Sequence, residues 1–315
     1  MRIVHVINKK VPPAGDEGGA PQSVAWLAEE QVRNGHDVFV MSTGSQAGST
    51  YKNIKISEDI PLKDVINYLP GYTDIVHLHI CRRDIEEELG RLGIPHVTHI
   101  RGNHIGRDNT SNNKIYVSRR HAENHHQTEY VYNGIPVSEY VFSSSKEDYL
   151  LFLSKVSRSK KGVDAAIRVA KATKQSLIIA GGRRLASLET WLPINKKIRP
   201  VGVVYGEKKI ELLKNAKALI FPIKWEEPFG LVVIEALACG TPVIASRRGA
   251  MEEIIDDGVT GFICDTNEEM AEAVGRLSHI DPNACRKSVE DNFSIENTYR
   301  SCMKYYSRAI SGAIW

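Results

Sequence analysis

Cysteine is scarce in this chain and follows no pattern. Cys81, Cys239, Cys264, Cys285 and Cys302 are scattered and odd in number, with no CxxC pair and no Cys/His ligand spacing. A disulfide scaffold and a zinc ribbon are thereby excluded, and reduced thiols in a cytosolic protein are expected. No apolar run reaches the roughly 20 residues of a membrane-spanning helix. The expected location is therefore the cytoplasm, with peripheral contact at the inner face of the membrane left open. The opening Met1-Arg2-Ile3-Val4-His5-Val6-Ile7 reads as a strand too short for a signal peptide. Excess charge of one sign is also missing. Forty-one Lys and Arg against 38 Asp and Glu leave +3, too little to make nucleic acid the expected partner. There is no low-complexity tract, no short repeat and no Asp-x-Asp metal motif. A Gly-x-Gly-x-x-Gly fingerprint after the first strand is absent, which disfavours a nicotinamide dehydrogenase.

What is present is alternation. At 315 residues, 42% hydrophobic and 25% charged, the chain suits two ordinary globular domains. Apolar runs alternate with helical patterns from end to end, which predicts parallel sheets covered by helices. In the first half, strands are expected at 3–7, 37–41, 74–79, 96–100 and 115–117, with helices at 21–34, 61–69 and 83–92 and a Ser118-capped helix to about 125. Residues 143–148, Ser143-Ser144-Ser145-Lys146-Glu147-Asp148, read as a linker. A second series follows, with strands at 149–153, 176–180, 198–203, 218–222, 242–245 and 261–264. Its helices are expected at 162–173, 207–215, from 231, at 250–255 and at 268–278. The expected organisation is a Rossmann-like domain over 1–146, a second over 147–293, and a terminal amphipathic helix over 294–315. Ligands in such sheets sit beyond the carboxyl ends of the strands.

The most informative stretch is Glu226-Glu227-Pro228-Phe229-Gly230-Leu231-Val232-Val233-Ile234-Glu235-Ala236. Pro228 and Gly230 suit a bend between a strand and a helix. From Leu231 to Cys239 the helix is apolar almost all round, so it is buried, and Glu235 is a carboxylate in a dry place that needs a partner. The free amides at the helix start attract an anion. Helical rise puts Glu235 roughly 7–8 Å inward from Gly230. A carboxylate before the amides, an anion on them and a carboxylate beyond would suit a sugar, a diphosphate and a ribose in a row. A bare pair of glutamates at this spacing would read instead as a core helix with a structural ion pair.

Other segments place chemistry at strand ends. Lys155-Val156-Ser157-Arg158-Ser159-Lys160-Lys161-Gly162 is a basic loop between a strand and a helix start. Lys155 and Lys161 there, with helix amides, would stabilise a departing diphosphate; an ordinary basic surface loop is the plainer alternative. Gly18 and Gly19 open the first long helix, where glycine lets backbone approach a ligand; a flexible connector would look the same. His77, His79, His96, His99 and His104 make the first half rich in histidine. A zinc site among them is conceivable, but hydrogen bonding is the expectation, and no metal is assigned.

The flanking text identifies a resemblance. Glu227 and Glu235, with seven residues between them, followed by Ala236-Leu237-Ala238-Cys239-Gly240-Thr241-Pro242-Val243-Ile244-Ala245, are similar to the signature of family 4 retaining glycosyltransferases. That family has the GT-B fold: an α/β architecture of two Rossmann-like domains, parallel sheets facing a central cleft, and a C-terminal helix crossing back to the first domain. The resemblance covers essentially the whole chain and is strongest from about 149 to 264. It implies that Glu235 binds ribose hydroxyls and Glu227 binds sugar hydroxyls and steadies developing positive charge. It also implies that the amides at Phe229, Gly230 and Leu231 receive the diphosphate, with Lys155 and Lys161 in the family's basic clamp. Ser154 and Lys155 stand where Gly-Arg is usual. Gly18 and Gly19 match the family's loop near the diphosphate, and Gly202 and Val203 match its contacts to the base. Where many relatives read T-L-H-G, this chain has His99-Ile100-Arg101-Gly102. Arg101, or the nearby His99 or His104, would then contact sugar, phosphate or acceptor.

The implied activity is metal-independent sugar transfer with retention. It needs no cofactor beyond the nucleotide sugar as co-substrate, with UDP favoured on family frequency. The acceptor would be a glycan, a lipid-linked glycan or a small molecule. The alternative is a nucleotide-sugar-binding protein without transferase activity, motivated by Arg101 and the compact first domain. A GT-B epimerase or phosphorylase is a third, weaker reading.

Overall fold

The computed structural model describes residues 1–13, 18–45, 48–56, 62–103, 112–183, 188–191 and 196–315. The chain divides into two compact units, Met1–Gly134 with Ile295–Trp315, and Ile135–Ser294.

The first unit runs β1 (Arg2–Val6), β2 (Lys10–Val11), α1 (Gly19–Arg33), β3 (Asp37–Ser42), β4 (Gly44–Ser45) and β5 (Lys52–Lys55). A 3-10 turn at Leu62–Tyr68 leads to β6 (Ile75–Leu78), α2 (Arg83–Arg91), β7 (His96–Ile100), β8 (Lys114–Tyr116) and α3 (Arg119–Glu123). Six strands form one parallel sheet in the order β5-β3-β1-β6-β7-β8. The last helix, Ile295–Ile310, completes this unit. Val4, Val6, Met41, Val76 and Leu78 from the sheet pack with Ile85 and Leu89 of α2. Ile7, Val38 and Val40 pack with Val24, Ala25 and Ala28 of α1. Burying side chains of this size is worth roughly 1.5–3 kcal/mol each before entropy is counted. Ser118 caps α3, its hydroxyl accepting from the His121 N–H at 3.0 Å.

The second unit runs β9 (Tyr149–Leu153), α4 (Val163–Ala172), β10 (Ser176–Ala180), β11 (Ile198–Gly202), α5 (Gly206–Asn215) and β12 (Ala218–Phe221). It continues with α6 (Leu231–Ala238), β13 (Val243–Ser246), α7 (Met251–Ile254), β14 (Gly261–Cys264), α8 (Asn267–Arg276) and α9 (Pro282–Asn292). Its sheet order, β11-β10-β9-β12-β13-β14, is again wholly parallel. Both sheets thus follow the doubly wound order 3-2-1-4-5-6, with a reversal beside the first strand. This is the α/β two-sheet architecture anticipated from the alternation.

Residues 143–148 lie within the second unit and are tied down there. Lys146 Nζ donates to Lys214 O (2.8 Å), Cys239 O (3.0 Å) and Thr241 Oγ1 (2.9 Å). It thereby satisfies a carbonyl at the end of α6 that the helix leaves open. Burial lowers the ammonium pKa to about 8. Two elements carry little signal in the sequence. β5 reads Lys52-Asn53-Ile54-Lys55 and is a mostly exposed edge strand, so its pattern is polar on both faces. α9 has few apolar positions, and Asp281 as cap with Pro282 at the first turn is what marks it. Among the described residues no helix is long and apolar enough to cross a membrane.

Candidate functional site

In the second unit every strand points the same way, so the loops after β9, β10, β11, β12 and β13 open on one edge of the sheet. Close backbone packing laces them together. Gly162, at φ +80°, ends the β9–α4 loop with its α-carbon against the Pro222 carbonyl, and a β-carbon there would overlap it. Lys224 N–H donates to Lys160 O at 2.8 Å. Gly249, at φ +57°, lies against the Glu227 backbone in the same way. Ala250 N–H donates to Glu227 O (3.0 Å), and Gly249 N–H donates to a Glu226 carboxylate oxygen (2.9 Å).

This lacing positions Glu227. Lys161 Nζ lies 2.5 Å from Glu227 Oε2, and the two side chains are 13% and 11% exposed. Trp225 Nε1–H donates to the same oxygen at 2.8 Å. Lys160 Nζ stands 3.3 Å above the Trp225 ring, a cation–π contact that holds the indole plane. Burial, then the neighbouring Lys161 charge, lowers the Lys160 pKa. Trp225 therefore bridges the two lysines and the carboxylate. Its only sequence signal is its place just before Glu226 and Glu227.

Gly230, at φ +96°, is the residue before α6, a conformation that suits glycine. At the start of α6 the Val233 N–H donates to Gly230 O at 2.9 Å, and the amides ahead of it have no partner inside the helix. Leu231 opens the helix and is half-buried, whereas the Phe229 ring is 2% exposed and meets Phe293 edge-on. Glu235 is 4% exposed. It accepts from Lys209 Nζ at 2.6 Å and from the Tyr140 hydroxyl at 3.0 Å, both on Oε1. Burial, then the Glu235 charge, pushes the Tyr140 phenol well above its ordinary pKa. Neither Lys209 nor Tyr140 stands out in the sequence, because each reads as an ordinary helix or loop residue. Lys155 opens the β9–α4 loop, half-buried, and its carbonyl accepts from the Arg158 N–H at 3.1 Å. Gly202, at φ +75°, ends β11, and Val203 beyond it is exposed.

The first unit holds a second polar cluster. His5 on β1, His77 on β6, His79 beyond β6 and His99 on β7 are all buried. His77 stacks against His99 at 5.4 Å and lies 4.1 Å from His79, centroid to centroid. Arg101, half-buried after β7, donates through Nε to His79 Nδ1 (3.1 Å) and through Nη1 to Asn133 Oδ1 (2.7 Å). Its Nη2 is 3.4 Å from His99 Nδ1.

A guanidinium only donates, and this assigns the protons through the cluster. His79 Nδ1 must accept, so its proton is on Nε2 and points to His5 Nδ1 at 2.9 Å. His5 Nε2–H then donates to Gln31 Oε1 at 2.7 Å. Gln31 Nε2–H donates to the Tyr306 oxygen (3.0 Å), and the Tyr306 hydroxyl donates to His77 Nδ1 (2.6 Å). Burial is the first cause that lowers all four histidine pKa values, His5 to about 4, so the rings are neutral. Ring nitrogens of His5, His77 and His79 come within 4.8 Å of one another, as metal ligands would. A cation there would displace the His79 Nε2 proton while Arg101 still donates to Nδ1, leaving an imidazolate beside a second positive charge. The donor set therefore fits a hydrogen-bonded chain better than a metal.

Gly18, at φ +99°, caps α1 and Gly19 is its first residue. His104 lies outside the described residues. Within the second unit Glu227 and Lys161 are in direct contact, and within the first Arg101 and His99 are neighbours.

Residues 139–292 match the family described as Glycosyl transferases group 1. An uncharacterized glycosyltransferase of Methanocaldococcus jannaschii is 25% identical, with 93% of this chain and 95% of that protein aligned. Several other curated relatives align over half their own length or less. Among solved structures, AviGT4, a glycosyltransferase involved in avilamycin A biosynthesis, superposes with a TM-score of 0.79 at 22% identity, covering 99% of each chain. Anabaena HepE in complex with UDP and glucose gives a TM-score of 0.77 at 15% identity, covering 98% of this chain and 99% of that one. The fold is GT-B.

Proposed function

We propose that this chain is a retaining, metal-independent glycosyltransferase of family 4, moving a sugar from a nucleoside diphosphate sugar to an acceptor. UDP is the favoured nucleotide, in line with the UDP and glucose bound to HepE. The observation that carries the reading is the Lys161–Glu227–Trp225 contact in the loop ahead of α6.

In this reading Glu227 takes the sugar hydroxyls, and its charge steadies the positive character that develops at the anomeric carbon as the bond to phosphate lengthens. The diphosphate lies on the first amides of α6, around Phe229, Gly230 and Leu231. Lys161 turns from Glu227 toward it and Lys155 approaches from the same loop. These groups supply the charge stabilisation that a divalent cation gives other transferases. Glu235 exchanges a hydrogen bond from Lys209 or Tyr140 for the ribose hydroxyls. Gly202 and Val203 receive the base. The acceptor is a glycan, a lipid-linked glycan or a small molecule, and the site of action is the cytoplasm or the inner membrane face.

A thermal-shift panel of UDP-, GDP-, dTDP- and ADP-sugars, with and without magnesium, tests the reading. A magnesium-independent rise with one nucleotide class supports it, and no response to any of them removes it. The competing reading, a nucleotide-sugar binder, draws on Arg101 in the usual histidine position. Tight donor binding with neither transfer nor slow donor hydrolysis would favour the binder.

A further inference from the structure

We propose that Arg101 anchors an oxyanion, a phosphate or carboxylate group carried by a substrate, rather than neutral sugar hydroxyls. The described partners of Arg101 are His79, Asn133 and His99, all neutral. Among the described residues no Asp or Glu stands within ion-pair distance of the guanidinium. Burial lowers its pKa to about 10, and among the described residues the charges that raise it again are those of Cys302 and Tyr306. Both of those groups are protonated at neutral pH, because burial pushes the Cys302 thiol up to about 12 and the Tyr306 phenol well above its ordinary value. Among the described residues the guanidinium is thus an uncompensated cation. Breaking a buried charge pair, which leaves a charge in this condition, is strongly destabilising.

The surrounding layer orients this cation without neutralising it. Arg101 stands at the head of a one-way chain through His79, His5, Gln31 and Tyr306 to His77. Every hydrogen bond in the chain is donated away from Arg101, so each dipole presents its negative end toward the guanidinium. The chain fixes Nε, and Asn133 fixes Nη1. Five N–H groups are available on a guanidinium, and the described contacts use three, one of them long at 3.4 Å. Among the described contacts, two N–H groups on a half-buried, oriented fork remain. That is the geometry in which arginine takes a phosphate or carboxylate through paired hydrogen bonds. A neutral hydroxyl would satisfy an N–H and leave the charge uncompensated.

The anchor itself stands on the first unit alone. Identifying the carrier of the anion rests on the glycosyl-transfer reading. Two sources share the chemistry: the diphosphate of the donor, and a charged group on the acceptor or on the transferred sugar.

The test titrates inorganic phosphate, and separately acetate, into the full chain and into three variants, following 31P line broadening for phosphate and heat for acetate. Asn133→Asp puts a carboxylate on the atom that Arg101 Nη1 already holds, supplying the missing counter-charge without removing the arginine. It is expected to weaken anion binding at least tenfold while the melting point holds or rises. Arg101→Gln is expected to weaken binding at least tenfold, and Arg101→Lys to retain part of it. Anion binding within twofold of wild type in both Asn133→Asp and Arg101→Gln overturns the proposal, as does wild-type protein that binds neither probe. Repeating the titration on UDP-saturated protein separates the sources. Loss of the Arg101-dependent binding assigns the anion to the donor diphosphate, and survival assigns it to the other substrate. A chain that responds to none of the UDP-, GDP-, dTDP- and ADP-sugars sinks the transferase reading and leaves the Arg101 result standing.

Discussion

Lys161 Nζ sits 2.5 Å from Glu227 Oε2, and that same oxygen also accepts from the Trp225 indole. A carboxylate so placed is charge-compensated by a group that has other work available to it. If a diphosphate arrives as proposed, it is the stronger anion, so Lys161 can transfer its contact while Trp225 keeps Glu227 in place. On the proposed transferase reading, the ion pair is a resting arrangement in which the charges needed for catalysis hold one another ready. It also explains how a fold tolerates an 11%-exposed carboxylate beside a helix start.

The isosteric change Glu227→Gln tests this directly. It keeps the hydrogen bond from Trp225 and removes the negative charge. Turnover is expected to fall by roughly 10²-fold or more, as when a group stabilising transition-state charge is lost. The melting point should stay within a few degrees and donor affinity should change far less than kcat. Product formation under saturating donor, with a parallel donor titration, reads the two effects separately. Normal turnover would remove Glu227 from the site.

The Lys209–Glu235 pair makes a different demand. Glu235 is 4% exposed, so deleting its cation leaves a buried charge held by Tyr140 alone. Lys209→Met is expected to destabilise the protein by about 1–3 kcal/mol, below the range for a fully buried pair because the lysine is partly exposed. Adding Glu235→Gln should restore most of that loss, since the uncompensated charge is gone. Chemical denaturation of the two single variants and the double variant gives the coupling. Additive effects would show that the pair does not interact.

The legibility of this protein in its sequence follows from which physical signals are local. Strands such as Tyr149–Leu153 and His96–Ile100 have the same bounds in sequence and structure; the first is a continuous apolar run, which admits few other readings. Glu235 is legible as a buried carboxylate because the helix around it is apolar. Its partners are not: Lys209 is 26 positions away on α5 and Tyr140 is 95 away. The same holds for Gln31 and Tyr306, which reach the histidines from helices at opposite ends of the chain. Tertiary partners of polar groups leave no periodic trace, and a polar edge strand such as Lys52–Lys55 leaves almost none.

Gly249 and Gly258 provide a matched comparison. Both have positive φ, +57° and +79°, so alanine at either is strained by about 1–2 kcal/mol. At Gly258 a β-carbon meets nothing, whereas at Gly249 it would overlap the Glu227 backbone. Gly258→Ala is expected to lower stability modestly and leave donor affinity alone. Gly249→Ala should lower stability by a further 1–3 kcal/mol or so, as an overpacked site does, and weaken donor binding by displacing Glu227. Thermal melts and a donor titration on both variants decide the matter. Equal behaviour would mean that the loop holding Glu227 yields freely.

The histidine layer sets a pH dependence whose sign can be worked out. His5 titrates near 6.5 when unfolded and near 4 when folded. Between those values the unfolded chain binds more protons, so stability rises with pH there. The contribution of His5 is complete above about pH 6.5 and is lost as pH falls toward 4. By linkage the loss from His5 alone between pH 7 and pH 5 is about 2 kcal/mol. His77, His79 and His99 shift in the same direction, as does His121, which burial lowers to about 4. Carboxylates lowered by their partners, such as Asp37, Asp84 and Glu129, act in a different window, because their stabilisation is lost only as pH falls through the acid range below about 4. The melting point is therefore expected to drop by several degrees between pH 7.5 and 5, ahead of general acid unfolding. A flat melting point across that interval would mean that the folded cluster takes up protons. The one-way chain of neutral rings feeding from Arg101 could not then be as assigned, because a protonated His79 cannot accept from a guanidinium.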